Sequence, residues 1–229
     1  LKHFSNQRWK TKVEEFTGIH NNPSEIISKL IQNSFLILGT SANKDNFLQL
    51  ALNVDSSKTV KLSINELENY LILLSKKLSI NWNRKGIRPA HQPIQRMKLA
   101  AELVKYFQES YSPNHLNISD LIQNFYLLCP SASGKGIQTE ITGNIILPYC
   151  ASNALFVKDY SQYYKCQEEW QNLKIPEPYQ KYSRKFRHVI NKSYLTYFWV
   201  LQGAIQLEKF WCKKELCDIC PLKTNYGNC

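Results

Sequence analysis

PIQRMKLAAELVKYF, residues 93–107, is the stretch that decides the fold. Pro93 suits a first helical position, where its fixed φ is already helical and its missing N–H is not needed. Ile94, Met97, Ala100, Ala101, Val104 and Phe107 follow at intervals of three and four. That spacing predicts one buried stripe along a long helix.

The same reading extends outward in both directions. Residues 23–38 open with Asn22 as N-cap, Pro23 in the first position and Glu25 three residues after the cap. Ile26, Ile27, Leu30, Ile31, Ser34 and Phe35 recur at helical spacing, and Gly39 stops the run. Phe47, Leu50 and Ala51 share a face of a helix over 43–53. Ser63 and Glu66 form a capping box ahead of Leu67, Tyr70, Leu71, Leu74 and Leu78. Beyond residue 107, Asn117 begins a short helix through Ile118, Leu121, Phe125 and Leu128. Residues 138–158 and 160–172 read as helices, with Pro148 breaking or kinking the first. Two more are predicted over 178–191 and 193–213, with loops at 79–92, 111–117 and 129–137. There is no strand-like alternation and no internal repeat. The expected architecture is all-α: an irregular multi-helix domain over 1–210, with a sub-boundary near 79–92. A cysteine-rich knuckle over 211–229 packs on the last helix.

Composition supports a folded chain and narrows its partners. Of 229 residues, 43% are hydrophobic and 12% aromatic, which is globular rather than disordered. Glycine is sparse, at 8 residues, which argues against a Gly-rich all-β or repeat architecture. The formal charge of +11 favours an anionic partner: nucleic acid first, an acidic protein or anionic membrane second. A basic but inert surface is the alternative. No run approaches the ~18–20 apolar residues of a membrane span, and no secretory segment opens the chain. The sequence starts at Leu1 rather than Met, so a true N-terminus is expected to be lacking. Cys129, Cys150 and Cys166 lie dispersed on apolar stretches. That is the pattern of buried reduced thiols in a cytoplasmic protein.

The other four cysteines fall in the last eighteen residues. Cys212, Cys217, Cys220 and Cys229 read C-x4-C-x2-C-x8-C, with Pro221 and Gly227 available for turns. The short middle step lets two thiolates reach one ion, and the outer pair can close a four-thiolate shell holding zinc or an iron–sulfur cluster. Alternatively Cys212 is a core thiol, and Cys217 and Cys220 an ordinary reduced pair. The spacing is loosely similar to the C-terminal iron–sulfur loop of DNA glycosylases of the endonuclease III type. Their glycine-rich helix–hairpin–helix signature is missing, so their lysine and aspartate are not carried over.

Two basic segments are candidates for nucleic-acid contact. In 174–192, Lys181, Arg184, Lys185, His188 and Lys192 form a cationic stripe, with Tyr182, Phe186 and Val189 on the opposite side of an amphipathic helix. Around 82–98, Arg84, Lys85, Arg88, Arg96 and Lys98 cluster beside Trp82, which either stacks on a base or anchors the segment to the core. Ser133-Gly134-Lys135-Gly136 lacks the spacing and preceding strand of a phosphate loop and reads as a flexible basic loop. The histidines, at 3, 20, 91, 115 and 188, have no metal-ligand spacing. Glu14-Glu15 and Glu168-Glu169 are adjacent and point to different sides of a helix. No nucleophile elbow is recognisable.

The chain resembles domain-of-unknown-function family 2851, a bacterial family. The resemblance rests on Trp82…Gly86-Ile87-Arg88-Pro89…Pro93…Arg96…Leu99-Ala100. It continues at Leu38-Gly39…Asn43…Phe47…Leu50-Ala51, at Asn144…Leu147-Pro148 and at Cys212…Cys217-x2-Cys220. His91 stands where asparagine is more usual, and Cys229 has no counterpart in the pattern. The resemblance implies a longer protein whose N-terminal half carries an acidic, restriction-nuclease-like motif, so this chain corresponds to a non-catalytic C-terminal half. Arg88 and Arg96 are read as structural arginines, with a paired fork for a phosphate as the alternative. The expected function is a nucleic-acid-binding or accessory domain of a larger nuclease-like protein. A protein–protein scaffold with a purely structural metal knuckle is the alternative, and an enzyme completed only by missing segments the third.

Overall fold

The computed structural model describes residues 1–18, 23–39, 43–83, 92–110, 118–132, 134–176, 180–186, 190–216 and 219–220. Among them the chain is all-α with no strand; a single antiparallel bridge joins Lys174 to Tyr197. No described helix is long and apolar enough to cross a membrane. The first half runs α1 (Lys2–Glu14), α2 (Pro23–Leu38), α3 (Lys44–Leu52), α4 (Ser56–Thr59), α5 (Ile64–Lys77) and α6 (Pro93–Ser110). The second runs α7 (Ile118–Leu128), α8 (Lys135–Ile141), α9 (Leu147–Phe156), α10 (Tyr160–Asn172), α11 (Gln180–Lys185) and α12 (Phe198–Phe210).

Helix α6 is the axis of the first half. Met97, Leu99, Ala100, Ala101, Leu103, Val104, Tyr106 and Phe107 are all buried, so its middle is apolar nearly all round. Such a helix needs neighbours on several sides, and α2, α5 and α7 pack around it. The predicted stripe was therefore too narrow, and Ile94, placed on it, is 56% exposed. Even buried Glu102 of α6 is satisfied. Its two oxygens accept from the Ser131 N–H at 2.9 Å and the Ser131 hydroxyl at 2.7 Å, tying α6 to the turn at Pro130–Ala132. The helices on either side of 79–92 share one buried cluster, which runs from Phe4 to Cys220.

Local signals were accurate for the first helices. The Ser63–Glu66 capping box forms as predicted, and Phe47, Leu50 and Ala51 are buried together. With so little glycine, helix ends close with other residues. Ser79, Lys158 and Glu215 each adopt positive φ, of 52°, 59° and 56°. After each, an N–H reaches back five residues: Ile80 to the Ser75 carbonyl, Asp159 to Ala154 and Leu216 to Trp211. These are Schellman closures with a side chain where glycine is commonest.

Helix α1 was not foreseen. It is polar along most of its length, but its buried residues Phe4, Ser5, Trp9 and Val13 fall on one side. Tertiary partners hold it in place. Gly203 of α12 lies so close to α1 that a Cβ there would sit 3.2 Å from the Leu1 carbonyl oxygen. Trp9 donates its indole N–H to the Tyr163 hydroxyl at 3.2 Å and packs on Trp170 at 5.3 Å.

The run through α8 and α9 departs most from the expectation. Helix α8 begins at Lys135, and the run continues through Pro148 with an irregular turn just ahead of it rather than a break. Between the two helices the chain makes a π-helical turn, Thr142–Ile146, in which the Leu147 N–H bonds to the Thr142 carbonyl. Proline removes one i→i−4 bond and crowds the carbonyl behind it. A widened turn just ahead of Pro148 absorbs both effects. The turn also exposes the Gly143 carbonyl to a side chain, and buried Trp170 donates its indole N–H to it at 2.8 Å. A Cβ on Gly143 would overlap the ring of buried Phe198. One widened turn thus joins α9, α10 and α12.

The C-terminal region is also less regular than predicted. Only Gln180–Lys185 of 178–191 is helical among the described residues, and Lys192–Thr196 is a 3₁₀ turn. The last long helix starts at Phe198. The Ile175 N–H to Thr196 carbonyl bond, at 2.8 Å, and the Phe198 N–H to Leu173 carbonyl bond, at 2.9 Å, pull the ends of this excursion together. That extended pairing competes with one continuous amphipathic helix.

Gly143→Ala should lower stability by about 1–3 kcal/mol through overpacking against Phe198. Urea denaturation measures this; an unchanged midpoint would refute the close approach.

Candidate functional site

Of the site residues expected from sequence, the side chains of Arg96, Arg184, Lys185, Cys212 and Cys220 are described. In the stripe, Arg184 is exposed, whereas Lys185 is held by Glu208 of α12 at 3.2 Å. The Lys181 and Lys192 side chains and His188 lie outside the described residues. So do Arg84, Lys85 and Arg88 of the second cluster. Trp82 is partly buried and packs on Phe47 at 5.0 Å between ring centres. Asn43 reinforces that anchor: its amide donates to the Asn83 carbonyl at 2.8 Å, and its side-chain oxygen accepts the Asn83 N–H at 2.9 Å. Trp82 therefore anchors the segment to the core.

At the C-terminus, Cys212 opens a 3₁₀ turn after α12 and Cys220 is buried at the core edge. Cys217 and Cys229 lie outside the described residues, and no group of three metal-ligating side chains occurs among those described. Cys129, Cys150 and Cys166 are buried thiols, as expected. Burial pushes all three above the ordinary thiol range, Cys166 to about 12. Such thiols are poor nucleophiles at neutral pH.

Arg96 lines a cavity of about 810 Å³ that the sequence did not reveal. Arg8 and Lys12 reach it from α1, Asn33 from α2, Lys44 from α3, and Gln202 from α12. Glu140 and Asn144 line it from α8 and the π turn, one helical turn apart. Gly39 allows α3 to start here: a Cβ on it would lie 2.7 Å from the Lys44 Cα. Residues 134–136, read from sequence as a free loop, open α8 at the cavity edge. Ile37, Ile137, Ile145 and Ile205 supply apolar wall.

The electrostatics are lopsided. Four cations line the cavity against a single acid, Glu140, among its described residues. Arg8 donates its Nε to Gln202 Oε1 at 3.3 Å, and Lys12 pairs with Glu15 at 3.0 Å. Desolvation still lowers the pKa of Arg8, Lys12 and Arg96. Arg96 Nε and Asn33 Nδ2 are buried without a hydrogen-bond partner among the described residues. Orphaned buried donors are costly in a native protein. The arrangement can receive an anion.

Glu140 faces the same space. Asn144 donates to its carboxylate at 2.7 Å, and Lys12 and Arg8 favour its charge. Burial outweighs them and raises its pKa from 4.5 to about 7. The sequence offered little notice of this site. The pairs Arg8/Lys12 and Glu140/Asn144 each show helical spacing, but nothing local places them together.

A scan against protein-family models, a search of curated proteins and a search of solved structures each find no match to this chain. The structure defines an all-α protein with a cationic cavity at the junction of its helices.

A carboxyl with a raised folded pKa is most favourable to stability when protonated. Glu140's contribution is thus complete below about pH 4.5 and is lost as pH rises through 7. Glu140→Gln should match wild type near the acid end and be more stable above neutrality, by about 3 kcal/mol at most. Thermal melts at both pH values test this; a pH-independent difference would exclude a buried ionisation.

Proposed function

We propose that this chain is a non-catalytic helical domain that binds nucleic acid, as an accessory part of a larger nuclease-like protein. The observation that carries the reading is the cavity in which Arg8, Lys12, Lys44 and Arg96 face one acid, with two buried donors unpartnered. The net charge of +11 supports it, because a basic surface concentrates a polyanion around the molecule before any specific contact forms. The resemblance to family 2851 supplies the larger protein and its preceding domain, and the cytoplasm is the proposed compartment.

A protein–protein scaffold is the second reading, favoured by one feature. Leu155, Phe156 and Val157 at the end of α9, with Tyr160 and Tyr164 of α10, form an exposed apolar and aromatic patch. In either reading Cys212, Cys217, Cys220 and Cys229 are proposed to bind zinc or an iron–sulfur cluster that staples the tail to α12.

Labelled single- and double-stranded DNA and RNA, titrated against salt, separate the two. Nucleic-acid binding predicts affinity that falls linearly on a log–log plot, with a slope set by the phosphates neutralised. Arg8→Gln and Lys44→Gln should each flatten that slope by about one unit, while Arg184→Gln measures the surface stripe. A slope changed only by Arg184→Gln would move the interface to α11. No binding at low ionic strength leaves the scaffold.

Chelation, or Cys217→Ser, should fray the end of α12 and lower the melting temperature while most helical signal persists. Unaltered melting in both cases would remove the metal staple.

A further inference from the structure

We propose that the cavity seats the phosphorylated end of a single nucleic-acid strand, an inference that rests on the nucleic-acid-binding function above. Size is the first argument. About 810 Å³ is the volume of a small-molecule site, room for a nucleotide or two but not for a duplex. The terminal nucleotide of a single strand fits such a space.

Charge is the second. A phosphodiester within a strand carries one negative charge, whereas a terminal monoester carries close to two near neutral pH and presents three strong acceptor oxygens. The cavity gathers its cations from α1, α3 and α6, three separate helices, so the charge density is built by the tertiary fold rather than by one surface stripe. A monoester suits that convergence better than a diester does. Its extra oxygens also suit the Arg96 and Asn33 side chains, which line the cavity. Arginine is suited to this task, because its fork meets phosphate oxygens two at a time.

The apolar wall is the third. Ile37, Ile137 and Ile205 offer no donor or acceptor from their side chains, so they suit the face of a base. Contact of this kind is tolerant of base identity, and the selectivity falls on the phosphate. Glu140 opposes the anion when it is ionised, and it shares the cavity with Arg8, Lys12, Lys44 and Arg96.

The experiment uses the full chain and short labelled single strands in matched pairs, with a phosphate or a hydroxyl at the 5′ end, and likewise at the 3′ end. Fluorescence anisotropy at fixed salt should give about tenfold or greater preference for one phosphorylated end, the gain expected from charge-assisted hydrogen bonds. Lys44→Gln and Arg96→Gln should each erase the preference, so that the phosphate and hydroxyl strands bind the variant equally well. Lys44 is exposed, so its variant keeps the test sound if Arg96→Gln fails to fold. A mononucleotide monophosphate should compete for the phosphorylated strand only. Equal, salt-sensitive binding of phosphate and hydroxyl strands would overturn the end seat and leave general nucleic-acid binding standing. Binding of the mononucleotide with no binding of any strand would overturn both and make the cavity a small-ligand site.

Discussion

The widened turn at Thr142–Ile146 is the constraint on which the rest of the structure depends. Pro148 cannot supply a helical N–H, and the chain answers one residue pair earlier by adding an extra residue to the turn. Three consequences follow from that single adjustment. The Gly143 carbonyl becomes available to the Trp170 indole. The missing side chain at Gly143 admits the Phe198 ring. Asn144 is carried into the cavity with its amide on Glu140. A regular helix through 135–156 would shift the residues after the turn around its axis and lose this registration.

Helix α12 converts that local event into the site. Phe198 fixes its start against the π turn, and Gly203 lets it lie close against α1. The Gln202 side chain, on the same helix, then accepts from Arg8. Arg8 and Lys12 are presented to the cavity by a helix anchored through Phe4, Trp9 and Val13. Lys12 is paired with Glu15, but Arg96 is partly desolvated with no counter-charge among the described residues, which is unfavourable. The fold retains this cost at a place where four cations, two unmet donors and one high-pKa carboxyl meet. Perturbed titrating groups in a concave site are a physical mark of function.

Much of the fold was legible in the sequence. Pro23 and Pro93 mark the starts of α2 and α6, the Ser63–Glu66 box starts α5, and the stripes of α2, α3 and α7 are buried as their spacing requires. The readings that failed were those where a long-range contact overrides the local pattern. In the stretch 178–191 the described residues Gln180–Lys185 are helical, and the pairing of Leu173 and Ile175 with Phe198 and Thr196 draws together the chain on either side. Lys185 lies on the predicted cationic stripe, but Glu208 of α12 takes up its charge.

The sequence by itself determined the all-α class, the burial of the dispersed thiols and the positive charge that favours an anionic partner. These follow from periodicity, composition and the cost of exposing apolar surface, all readable one segment at a time. Only the tertiary structure decided which charges act together. Arg8 and Arg96 are far apart in sequence, and the distance between them is set by how α1, α12, the π turn and α6 pack. The same structure decided that Trp82 anchors rather than offers a stacking surface, because Phe47 and Asn43 meet it from another helix. Spacing along a chain encodes which face a residue occupies; it carries no information about which faces come to share a cavity.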